Sequence, residues 1–163
     1  MNTENNERKV GILLHVSSLP GRYGIGTLGK SAYDFVDILS ARGIGYWQVL
    51  PLVRTSFGDS PYQCFSSFAG NPYFLCEKGL LTREEAEECV SDGKTVDYAR
   101  LYNTRYALLK KAFSRFDVNT PRFKKFVRSA KFESYALFCA IKEKYNGASF
   151  DVWDDELKFA DKK

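Results

Sequence analysis

The chain has 163 residues, of which 44% are hydrophobic and 27% charged. This is room for about one ordinary domain of globular composition. No apolar run approaches the ~18 residues of a membrane-spanning helix, so no membrane partner is expected. The formal net charge is +4, and it is unevenly placed: Tyr98 to Lys131 carries ten Lys or Arg and one acid, Asp117. Such a run suits either a nucleic-acid surface or the solvated face of two helices. No nucleic-acid-binding motif accompanies it, so no nucleic-acid partner is expected.

Residues 1–9 are polar, lack the apolar core of a secretory signal, and read as a disordered leader. Val10 to His15 is an apolar run that reads as a buried strand. Val16 to Leu28 is a loop with Pro20-Gly21 as a turn signal. Ser31 to Arg42 reads as a helix with Ala32, Phe35, Val36 and Leu39 on its apolar face and Gly43 as its stop. Tyr46 to Leu50 is a second strand, closed by Pro51. Strand, crossover helix and strand make a βαβ unit with two parallel strands, spanning 10–75 with its long loop 51–75.

From residue 76 to 163 the pattern is helical. Thr82-Arg83-Glu84-Glu85 is a capping box opening a short helix to about Cys89. Asp97 caps a longer helix to about Phe116, with Tyr102, Tyr106, Leu109, Phe113 and Phe116 as its apolar stripe. Thr120-Pro121 opens a basic helix to about Arg128. Phe132 to Tyr145 is the next, with Phe138, Ile141 and Tyr145 on one face and Gly147 as the stop. Two parallel strands make no stable sheet alone, and parallel sheets are normally covered on both faces. The chain is therefore expected to be the first part of a larger α/β protein, with the helical block inserted.

Gly58 to Tyr73 concentrates the chemistry. It is rich in Gly, Pro, Ser and Asn, yet carries Tyr62, Phe65, Phe68 and Tyr73. Rings stack on the apolar faces of sugar units while short polar groups bond their hydroxyls. The same composition also suits an ordered loop whose rings plug into the core. Carboxylates for glycoside chemistry come as a facing pair, and Asp59 stands alone in this region. Asp151, Asp154, Asp155 and Glu156 cluster beside Trp153 and read as charges at a helix start.

Gly24 to Ser31 matches the phosphate-loop pattern G-x-x-x-x-G-K-[ST], which makes a nucleotide-binding protein the alternative. Its context argues against it, because Val16 to Tyr23 separates the strand from the first glycine and no strand ending in Asp follows. The cysteines Cys64, Cys76, Cys89 and Cys139 have no CxxC spacing, and His15 is the single histidine, so no metal site is expected. Free thiols point to a reducing, cytoplasmic setting.

Five blocks in order carry a resemblance: Gly11 to Gly21, Tyr23 to Gly26, Tyr46 to Leu52, Gly58 to Gln63, and Ala69 to Tyr73. They resemble the N-terminal blocks of the 4-α-glucanotransferases (amylomaltases, disproportionating enzymes, glycoside hydrolase family 77). Tyr135 to Phe138 and Trp153 resemble the next block, so the likeness runs from about 10 to 158. Val16-Ser17 departs from it, where the family usually has Pro-Thr.

The resemblance implies part of a (β/α)8 TIM barrel with a mostly helical inserted subdomain, 76–163 holding that subdomain and the start of the next barrel segment. It implies an α-1,4-glucan or maltooligosaccharide substrate, a retaining double displacement and no cofactor. The catalytic carboxylates are expected on later strands. A barrel of this type needs about 250 residues, so the chain is expected to be an N-terminal fragment, inactive alone. The implied glucan-binding residues are Asp59, Ser60, Tyr62, Gln63, Trp47, His15 and Asn71.

Overall fold

The structure is a computed structural model and describes residues 8–56, 58–75, 79–90, 94–129 and 132–159. Most of the expected leader and Cys76 lie outside the described residues. The chain divides into two compact units, Met1–Phe116 and Asp117–Lys163.

The first unit holds two strands, β1 (Gly11–Leu13) and β2 (Tyr46–Gln48), joined through α1 (Lys30–Ala41). They pair in parallel, with Gly11 opposite Tyr46 and Leu13 opposite Gln48, which is the expected βαβ unit. Helix α1 ends where Gly43 takes φ +68°, a left-handed conformation that glycine reaches without a Cβ penalty. Phe35 of α1 meets Trp47 of β2 edge to face at 5.0 Å.

The strands are not buried as expected. Val10, Leu13 and Tyr46 are exposed, as are Val36 and Ile38 of α1. Among the described residues the sheet has two strands only, so neither outer edge is paired and much of the surface expected to be buried stays uncovered.

The core of this unit lies instead under the loops. Val16, Leu19 and Tyr23 of the β1–α1 loop pack with Tyr73, Phe74, Ala86 and Leu101. The helices α2 (Arg83–Glu87) and α3 (Tyr98–Ser114) close it. Both begin at the expected caps. Thr82 and Glu85 form the reciprocal capping box, and the Asp97 carboxylate accepts from the Arg100 amide at 2.9 Å. Glu85 also accepts two hydrogen bonds from Arg115 and pairs with Lys111, which ties α2 to the end of α3.

The buried face of α3 differs from the expected stripe. Leu101, Arg105, Leu108 and Ala112 are buried, whereas Tyr102, Phe113 and Phe116 are exposed. The true face includes an arginine and an alanine, so counting large apolar residues selects the neighbouring face.

The second unit contains α4 (Pro121–Ser129), α5 (Glu133–Lys144) and the short α6 (Asp155–Lys158). The Thr120 hydroxyl caps α4 by accepting from the Phe123 amide at 3.3 Å. Ile141 and Trp153 are buried, and the Trp153 ring lies 5.8 Å from Phe138 and 6.1 Å from Tyr145. The expected face of Phe138, Ile141 and Tyr145 is the one that packs. Among the described residues no helix is long and apolar enough to cross a membrane.

Candidate functional site

After β2 the chain runs out, turns and returns as an irregular antiparallel ribbon. Val53 bridges Gly70, and Thr55 bridges Cys64. Backbone bonds from Ser56 to Gln63, Arg54 to Ala69 and Asn71 to Leu52 form its rungs. Two successive turns make the tip: the Asp59 amide donates to the Ser56 carbonyl, and the Gln63 amide to the Ser60 carbonyl. Pro61 fixes its own φ at the second position of the latter turn. Gly58 and Asp59 both hold positive φ, +88° and +53°. Asp tolerates that region when its side chain is satisfied locally, and the Thr55 hydroxyl donates to the Asp59 carboxylate at 2.8 Å. The Ser60 hydroxyl oxygen accepts from the Tyr62 amide at 3.4 Å.

These constraints hold Asp59, Ser60, Tyr62 and Gln63 on one tip. Tyr62 is 72% exposed there. Phe65 and Phe68 are also exposed, while Tyr73 is buried. The loop thus divides its rings, with Tyr73 anchoring it in the core and the other three facing outward. An open apolar groove runs along its foot, lined by Leu50, Pro51, Leu52, Ser67 and Phe68 at the C-terminal end of β2.

The other expected residues sit lower and hold the scaffold. Trp47 Nε1 donates to the Leu14 carbonyl at 2.7 Å, locking the ends of the two strands. His15 meets Phe74 edge to face at 5.3 Å, and burial lowers its pKa, which favours the neutral ring. The Asn71 side chain is buried and accepts from the Tyr73 amide at 3.0 Å, capping a short 3-10 turn over Pro72–Phe74. Its side-chain oxygen is therefore engaged in holding the foot of the ribbon.

Sequence reasoning missed the wall behind the ribbon. Tyr106 lies 5.5 Å from Tyr73 and 6.4 Å from Tyr102, and the Arg54 guanidinium sits 5.0 Å above the Tyr106 ring. Burial first, then the neighbouring Tyr106 and the Asp59 carboxylate, push the Tyr73 hydroxyl well above its ordinary range. The i, i+4 spacing of Tyr102 and Tyr106 is visible in the sequence, where it reads as part of a core stripe.

The glycines at 24–31 do not form a phosphate cradle. A Cβ on Gly26 would lie 1.9 Å from the Val16 carbonyl oxygen, and one on Gly24 would lie 2.2 Å from that of Cys89. The space a phosphate would need is filled by backbone of the same chain. Lys30 turns away to pair with Asp34 on the exposed side of α1. The nucleotide-binding alternative is thereby unsupported. Among the described residues no group of three His, Cys, Asp or Glu could hold a metal.

Comparison with known proteins agrees with the resemblance of the sequence blocks and not with the nucleotide motif. The sequence profile of the 4-alpha-glucanotransferase family matches residues 14–163. A 4-alpha-glucanotransferase of Clostridium butyricum is 46% identical over 155 residues, covering 89% of this chain and 32% of that protein. One from Streptococcus pneumoniae is 47% identical over 162 residues, covering 91% of this chain and 32% of that protein. Among solved structures, amylomaltase from Streptococcus agalactiae in complex with acarbose superposes with a TM-score of 0.82 at 38% identity, over 92% of this chain and 32% of that one. The chain belongs to the 4-alpha-glucanotransferase family, glycoside hydrolase family 77. It spans about a third of the length of these curated relatives.

Proposed function

We propose that these residues form the donor-binding portion of an enzyme that transfers α-1,4-glucan segments between maltooligosaccharides, or between starch- or glycogen-type glucans, by a retaining double displacement. The observation that carries this reading is Tyr62, exposed at the tip of a doubly constrained turn, on a ribbon whose foot holds an apolar groove. A phenol held there stacks on a pyranose face, while Asp59, Ser60 and Gln63 supply acceptors and donors for its hydroxyls. Asn71, Trp47 and His15 serve the same site from below by fixing the foot of the ribbon and the strand ends. The βαβ unit is the start of a TIM barrel, and the ribbon leaves it at the C-terminal face where such barrels bind substrate. The reaction needs no cofactor and takes place in the cytoplasm.

A retaining displacement requires two carboxyl groups about 5–5.5 Å apart. The ribbon offers Asp59 alone, so the nucleophile and the acid/base come from carboxylates outside these residues. The 163-residue chain should therefore bind a maltooligosaccharide without turning it over. Calorimetric titration with acarbose tests binding, and glucose release from maltotriose tests turnover. Binding without glucose above a heat-inactivated control is expected. Absence of binding at millimolar acarbose would refute the site, and turnover would refute the division of labour.

A further inference from the structure

Arg105 is the largest fully buried side chain among the described residues, with 0% of its surface exposed. It projects from α3 between Leu101 and Leu108 into the core. Its Nη2 donates to the Leu75 carbonyl at 2.6 Å, and its guanidinium carbon lies 4.2 Å from the centre of the Tyr23 ring. Leu75 is where the chain leaves the ribbon's foot, and Tyr23 lies in the β1–α1 loop. A methionine would fill similar volume without the desolvation cost of a buried charge. What the guanidinium adds is direction: a planar donor set on the Leu75 carbonyl and over the Tyr23 ring.

We propose that Arg105 is a positioning residue for the glucan-binding ribbon, pinning its exit strand to the β1–α1 loop; this rests on the proposed function above. The path from it to the tip is continuous. Leu75 follows the 3-10 turn at Pro72–Phe74, whose Phe74 carbonyl accepts from the Leu28 amide. Asn71, which caps that turn, donates its amide to Leu52 on the outgoing strand. The rungs at Arg54 and Ser56 then carry the alignment to the turn that bears Tyr62.

The test compares the 163-residue chain with Arg105→Met and Arg105→Lys, using acarbose calorimetry, thermal melting and hydrogen exchange read by mass spectrometry. Arg105→Met is expected to weaken acarbose binding about tenfold or more, a typical loss for one misplaced contact. Exchange in peptides covering 52–75 should accelerate about tenfold while α5 peptides are unchanged. Arg105→Lys keeps a donor but not the planar fork, and should fall between wild type and Arg105→Met. If Arg105→Met fails to fold, wild-type affinity and exchange in Arg105→Lys would overturn the proposal. Wild-type values in a folded Arg105→Met would overturn it directly. If wild-type chain binds no acarbose, the glucan reading fails by itself, and the exchange comparison still decides whether Arg105 orders the ribbon.

Discussion

Tyr62 and Tyr73 belong to one loop and have opposite fates. Tyr73 is 3% exposed and anchors the ribbon, while Tyr62 is 72% exposed at its tip. If the Tyr62 ring stacks on sugar, Tyr62→Phe keeps the face and should change acarbose affinity little. Tyr62→Ala removes it and should cost about 1–3 kcal/mol of binding. Equal losses in both variants, measured by calorimetry on folded protein, would mean the hydroxyl and not the ring carries the contact. A second residue-scale expectation concerns Glu85. Hydrogen bonds from Arg115 and Lys111 hold its carboxyl well below the ordinary value of 4.5. A carboxyl depressed in the folded state adds stability above its unfolded pKa and loses it as pH falls toward the folded one. Glu85→Gln should therefore lower the melting temperature at pH 7, with the difference from wild type narrowing below about pH 4.5. Both cations are partly exposed, so added salt should shrink the effect. A pH-independent difference would contradict the ion-pair account.

At the scale of elements, what was legible in sequence was local. The capping box at Thr82 and Glu85, the Asp97 cap and the left-handed stops at Gly43 and Gly147 all stand where the residues placed them. Each depends on groups within a few residues, so tertiary packing has little chance to override them. The buried face of α3 was not legible, because Arg105 is buried and Tyr102 is not. Periodicity ranks positions by side-chain type and cannot see that a carbonyl and a ring await the arginine. In composition the ribbon suits a ligand loop and a core-plugging loop alike, and which of its rings turn outward depends on the Tyr106 wall and the core. The glycines give a prediction at this scale. Gly43→Ala meets no neighbour and pays only for its positive φ, about 1–2 kcal/mol. Gly26→Ala drives a Cβ into the Val16 and Leu19 carbonyls and should abolish the cooperative melt of the first unit. Circular dichroism melts showing the reverse order would contradict the close backbone packing described for that loop.

For the molecule as a whole, the two units differ in what they leave open. The first exposes Val10 just before β1, Leu13 in β1, Tyr46 in β2, and Val36 and Ile38 on α1. An unpaired, apolar two-stranded sheet is a template for association. The 163-residue chain should therefore self-associate with rising concentration in sedimentation experiments. Leu13→Lys and Tyr46→Lys should reduce this association without loss of helix content. A sharp, concentration-independent melt from a monomer would show that the sheet needs no cover. In the second unit α4 buries none of its side chains, so its basic face contributes charge and little packing. Membership of a family whose curated relatives are about three times as long fits a first unit with an uncovered sheet.

If residues 58–73 bind glucan, hydrogen exchange of the 163-residue chain with and without acarbose should register it at those residues. Peptides spanning Gly58 to Tyr73 should be protected by the ligand in wild type and not in Tyr62→Ala, with α4 and α5 unaffected. Protection confined to other segments, or none at saturating acarbose, would contradict the account.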